Sequence, residues 1–174
     1  ANLLSGPLRS RFGASFKLDY YANEDIETII KRSAKLLKID IDSGAIGILA
    51  KASRFTPRVA NRLLKRVRDY VEVNNIKKVD IAAAEATMEM LEIDDLGLEP
   101  TDRQLLKAII EKFHGGPVGI QTLAAAMNDD RGIIEDVYEP YLMSIGLLNR
   151  TPAGRMGTSE AYKHLGIKPR TFLG

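Results

Sequence analysis

Apolar residues recur along this chain with two periods. Across residues 22–91 they return every three or four positions, the spacing of helices with one buried face. Ile26, Ile29, Ile30, Ala34 and Leu37 line one side of a first predicted helix, with Asn23 as its N-cap. "IDSGAIGILAKAS" predicts a second helix, weakened by two glycines, which "RFTPR" then breaks. A third starts behind Thr56 as N-cap with Pro57 at the first helical position, and runs to about Val73 with Val59, Leu63, Val67 and Tyr70 as its apolar stripe. Asp80 caps a fourth, "IAAAEATMEML". Before these helices the period is two: Phe16, Leu18 and Tyr20 alternate in "SFKLDYY", which predicts a strand over 15–21.

"EIDDLGLEP" interrupts the pattern with acids, a glycine and a proline, so a domain boundary is expected near residue 95. Beyond it, "TDRQLLKAIIEKF" predicts an amphipathic helix capped by Thr101 or Asp102, and "IQTLAAAM" a short one. "NDDRGIIEDVYEPYLMSIG" predicts a capped helix kinked by Pro140. "LLNR" and "RMGT" then flank "TPAG", with Pro at the second and Gly at the fourth position of a turn, which predicts a hairpin. "SEAYKHLG" closes with a short helix and "KPRTFLG" reads as a loose tail. Three helices followed by a hairpin make a winged-helix arrangement. The fold class is therefore mostly α, a helical bundle over 22–95 followed by a winged-helix domain over 96–167 with a small β-hairpin wing. Residues 1–21 precede the bundle and 168–174 follow as tail.

Composition narrows the function classes. Hydrophobic residues make up 45% and charged residues 28% of the 174, enough to bury a core. No apolar run approaches the roughly 20 residues of a membrane span. The absence of cysteine excludes disulfides and thiolate zinc sites and fits a reducing compartment, so a cytoplasmic location is expected. The chain opens on "ANLLSGPL", without an initiator Met, and reads as cut from something longer. Net charge is only +2, and residues 93–174 hold nine basic against 11 acidic side chains. Any nucleic-acid contact must come from a local cluster.

Arginines supply the candidate clusters. Arg58 falls in the first turn of a helix, where backbone N–H groups and the dipole already favour an anion, so a phosphate there would offset its charge. Arg62, Lys65, Arg66 and Arg68 lie off the apolar stripe and read as a solvated face. Arg9 and Arg11 stand two apart, roughly 200° around a helix, so only one of them reaches a given anion. Arg150 and Arg155 flank the hairpin turn, where they face either phosphates or solvent as a charged edge. Arg131 starts a helix carrying Glu135, Asp136 and Glu139, acids that oppose deep entry into a DNA groove. Contact through Arg131 and the wing would then be independent of base sequence. His114 and His164 have no ligand spacing, and no metal site is expected. "GGPVG" lacks the Lys of a phosphate loop and reads as a connector. Met88, Met90, Met127 and Met143 are expected in the core.

"LLSGPLRSRFG", "FTPRVANRLLKRVRDY", "HGGPVGIQTLAAAM", "EDVYEPYL" and "GLLNRTPAGRMGTSEAYKHLGI" together resemble the RuvB family, AAA+ ATPases that drive Holliday-junction branch migration in recombination and DNA repair. The resemblance covers nearly the whole chain and corresponds to a C-terminal half: the end of the ATPase core (1–21), the helical lid and the winged-helix domain. It implies a homohexameric, DNA-translocating ATPase working with ATP or ADP and Mg2+, with RuvA-type and RuvC-type partners on branched DNA. By the same resemblance Arg11 is an arginine finger acting on the neighbouring subunit's nucleotide, Arg58 a second sensor arginine, and Tyr21 a nucleotide contact. Arg131, Arg150 and Arg155 correspond to DNA-contacting positions.

Two positions depart from the family pattern. Phe55 stands where the family has Gly before "TPR", which puts the lid turn and the nucleotide pocket in question. Ala153 replaces a wing arginine and removes one cation from the expected DNA contact. Walker A and Walker B sequences are absent from the 174 residues, so these residues alone are not expected to hydrolyse ATP. Two rival readings are a non-catalytic winged-helix DNA-binding regulator with a helical dimerisation module, and a clamp-loader-type AAA+ subunit. The acidic third helix of the second module counts against the first, and the winged-helix ending against the second.

Overall fold

A computed structural model describes residues 11, 12 and 19–168. Arg9, most of the strand expected over 15–21, and nearly all of the C-terminal tail lie outside the described residues; Asp19, Tyr20 and Tyr21 carry no regular structure.

Four helices build the first half: α1 (Asn23–Leu36), α2 (Ser43–Ala52), α3 (Pro57–Val73) and α4 (Ile81–Met90). Their apolar faces meet in one core that includes Ile26, Ile30, Leu49, Leu63, Leu64 and Val67, all at most 1% exposed. Each such side chain contributes roughly 1.5–3 kcal/mol. The stripe of α3 is rotated slightly from the sequence expectation: Ala60, Leu64 and Val71 are buried beside Leu63 and Val67, while Val59 and Tyr70 are half-buried. Asn23 lies inside α1, behind Ala22 as N-cap, and spends its amide on Glu27. Asp80 does cap α4, accepting the Ala83 N–H at 2.8 Å. Gly44 lies in α2 against the Ile81 side chain at the start of α4, where a Cβ would come within 2.6 Å of Ile81 Cδ1 and push that half-exposed side chain aside. Met90 and Met143 are 59% and 42% exposed, against the expectation of burial.

The second half holds α5 (Pro100–Lys107, running on through a π-helical segment Ala108–Lys112), α6 (Ile120–Met127) and α7. The last comprises Arg131–Ile133, a π-helical segment Ile134–Tyr138, and Glu139–Ser144. Strands β1 (Leu148–Thr151) and β2 (Gly154–Gly157) and helix α8 (Ser159–His164) follow. Its own core includes Leu98, Leu105, Leu106, Ile109, Leu123 and Leu142. The N-cap of α5 is Glu99, not Thr101 or Asp102; Asp102 reaches back from the third helical position to accept the Glu99 N–H. Pro140 can donate no N–H to the turn before it, and that turn is the π-helical one. Strands β1 and β2 pair antiparallel with Arg150 opposite Arg155, and Val118 exchanges both backbone hydrogen bonds with Arg155 on the other edge of β2. Among the described residues no helix is long and apolar enough to cross a membrane.

Candidate functional site

The hairpin turn places two arginines across from each other, and α7 brings up two carboxylates beneath them. Glu135 and Glu139 lie one helical turn apart, so both reach the wing. Arg155 donates from Nε to Glu139 at 2.6 Å and from Nη2 to Glu139 at 3.2 Å and to Glu135 at 2.9 Å. This pair is internal: the side chains of Arg155 and Glu139 are 8% and 2% exposed. Hydrogen bonds and charge from Glu139 hold Arg155 above the usual guanidinium pKa. Arg155 therefore fastens the wing to α7. It does not stand at the surface beside Arg150, as the hairpin spacing had suggested.

Arg150 is 55% exposed, with its Nη2 3.7 Å from Glu135 and its Nη1 3.9 Å from Glu139. Arg131, equally exposed, donates from Nε to Glu135 at 3.0 Å across one turn of α7. Asp130 caps that helix by accepting the Gly132 N–H. The Arg131 hydrogen bond holds the Glu135 carboxyl below its ordinary range. Glu135 and Glu139 thus serve as counterions of the three arginines.

A second cluster surrounds the start of α3. Arg58 is exposed, and neither a carboxylate in the first turn nor an ion pair offsets it among the described residues. Tyr21, half-exposed, donates its N–H to the Phe55 carbonyl at 3.3 Å and so sits against the same turn. Arg11 is exposed in a turn, and among the described residues no contact joins it to Arg58 or Tyr21. Arg54 and Phe55 both have left-handed backbone, φ 53° and 56°, a conformation that costs a bulky residue on the order of 1–2 kcal/mol and glycine nothing. The Phe55 ring offsets this by packing between Tyr20 and Tyr141, at 6.3 and 6.2 Å between ring centres.

The neighbouring joint has no signature in the local sequence. Arg54 pairs with the buried Asp102, donates from Nε to the Gly97 carbonyl at 2.9 Å, and stacks 5.1 Å over the Tyr141 ring. Tyr141 donates its hydroxyl to Leu96 O at 2.5 Å; burial raises its pKa to about 12, so it stays neutral. Burial likewise pushes the Asp102 carboxyl up, against the pull of Arg54. No local pattern announces a pair 48 residues apart. Nearby, Asp94 clamps the linker: one oxygen accepts the Leu96 and Leu98 N–H groups, and the other meets Arg103 at 3.4 Å and His164 at 2.9 Å. Asp94, Asp95 and His164 gather three potential ligand atoms, but the guanidinium on the same carboxylate opposes a dication.

Comparison with known proteins gives this arrangement a family. Residues 21–94 match the RuvB AAA lid domain and residues 95–166 the RuvB C-terminal winged helix domain. The chain is 49% identical over 169 residues to the Holliday junction branch migration complex subunit RuvB of Koribacter versatilis, covering 97% of this chain and 47% of that protein. It is 52% identical over 168 residues to the protein of that description from Ligilactobacillus salivarius, covering 97% and 50%. The chain thus spans about half the length of these curated relatives. The solved Thermotoga maritima RuvB Holliday junction branch migration motor superposes with a TM-score of 0.92 at 48% identity, over 96% of this chain and 56% of that one. These matches do not favour the regulator reading. With both halves of the fold and nearly its whole length accounted for, the chain belongs to the RuvB family and carries its lid and C-terminal winged-helix domains.

Proposed function

We propose that this chain is the lever and DNA grip of an ATP-driven motor that migrates Holliday junctions. The observation that carries the grip is the convergence of two exposed arginines from separate elements, Arg131 and Arg150, on one carboxylate, that of Glu135. Both would contact backbone phosphates, which all sequences share, so the grip would suit translocation along any duplex. Arg155 belongs to the same network and keeps the wing in place.

The start of α3 fits a nucleotide, because Arg58 is exposed and without an ion pair among the described residues, where the helix already favours phosphate, with Tyr21 beside the same turn. Arg58 and Tyr21 would bind ATP or ADP of their own subunit, and Arg11 would stabilise charge at the neighbour's site. A nucleotide held there with Mg2+ would supply the free energy of phosphoryl transfer. The 174 residues hold no Walker A loop, so by themselves they would not hydrolyse ATP. A homohexamer in the cytoplasm, with RuvA-type and RuvC-type partners on the junction, completes the reading.

The test is a titration against duplex and four-way-junction DNA at several salt concentrations, with and without Arg131→Ala/Arg150→Ala. Binding should ignore base sequence, and the variant should lose about 1.8 units of log–log salt slope, the value for two phosphate contacts. Tight binding to one sequence, or an unchanged slope, would return the regulator reading.

A further inference from the structure

A single carboxylate is aimed at all three arginines of the wing network. Glu139 is buried and held by Arg155 through two hydrogen bonds, with Arg150 a more distant 3.9 Å away. Glu135 is left facing the two exposed arginines as well as Arg155, with its own side chain 20% exposed. Three guanidiniums meet two carboxylates here, so the network carries a net charge of about one. The Glu135 carboxylate stands between the two exposed arginines, one oxygen accepting from Arg131 at 3.0 Å and the other 3.7 Å from Arg150.

Resting on the DNA-binding reading above, we propose that Glu135 is an internal phosphate surrogate: it competes with the DNA backbone for Arg131 and Arg150 and sets the grip weak. A motor that remakes its contacts at every step gains from a grip whose arginines exchange one anion for another. The exchange also spares these arginines from standing unpaired between steps.

The experiment is the same DNA titration with Glu135→Gln, which keeps an acceptor for Arg155 but removes the charge. Loss of the competing charge adds about one effective cation to the interface. The salt slope should steepen by about 0.9, which corresponds to about eightfold tighter binding at ~0.1 M salt, fading towards 1 M. Asp136→Asn makes the same change in net charge from an exposed position outside the network, and should gain much less. Adding Arg131→Ala and Arg150→Ala to Glu135→Gln should erase the gain, while thermal unfolding checks that each variant is folded. Equal or weaker binding by Glu135→Gln, or an equal gain from Asp136→Asn, overturns the surrogate. If the arginine variant alone leaves wild-type binding unchanged, the DNA reading falls first and the surrogate with it.

Discussion

Arg150 and Arg155 are directly opposed in the hairpin, yet they are different kinds of residue. Arg155 is buried against Glu139, and removing one partner of such a pair leaves the other charge stranded. Arg155→Ala should cost about 3–5 kcal/mol, whereas Arg150→Ala, from an exposed pair, should cost less than about 1 kcal/mol. Urea denaturation of the two variants checks the ordering; similar losses would mean that Arg155 is not the fastening residue. A DNA-binding defect in Arg155→Ala would consequently report a loosened wing before it reported a lost phosphate contact. Spacing in the sequence brought both arginines to the hairpin. Their difference depends on Glu135 and Glu139, whose approach no local signal encodes.

Among the elements, the wing was the most legible, because its turn chemistry is local. Pro152 and Gly154 sit where a tight turn needs them, and Gly154 has φ +142°. A side chain there would also place its Cβ 2.5 Å from the Val118 carbonyl, inside the backbone exchange that joins Val118 to β2. Gly154→Ala should therefore destabilise the winged-helix half by about 1–3 kcal/mol and speed amide exchange at Val118 and Arg155. Unchanged protection would show that the turn tolerates a side chain. The starts of α3 and α4 were equally legible from Thr-Pro and Asp. The start of α5 was not, because Asp102 serves the cap from inside the helix and is drawn at the same time to Arg54.

At the scale of the molecule, the two cores divide between Ile93 and Leu98, and the contacts across that divide include the cluster of Arg54, Phe55, Asp102 and Tyr141 and the exposed Arg62–Glu99 pair at 2.9 Å. Arg54 stands four residues before Arg58, so the turn that presents the proposed nucleotide sensor is also the turn that holds the winged-helix half. Arg54→Ala should strand the buried Asp102, lower stability by about 3 kcal/mol, and split one calorimetric unfolding transition into two. A single transition at the wild-type temperature would mean that the halves are coupled elsewhere. The sequence by itself determined the helices, the hairpin, the family and the arginines worth asking about, because periodicity, capping and turn chemistry act over a few residues. Only the tertiary structure decided which arginine is buried, which acids neutralise the wing, and how the lid turn grips the second half. Ion pairing and burial depend on what folding brings together across dozens of residues, and local spacing carries no record of that.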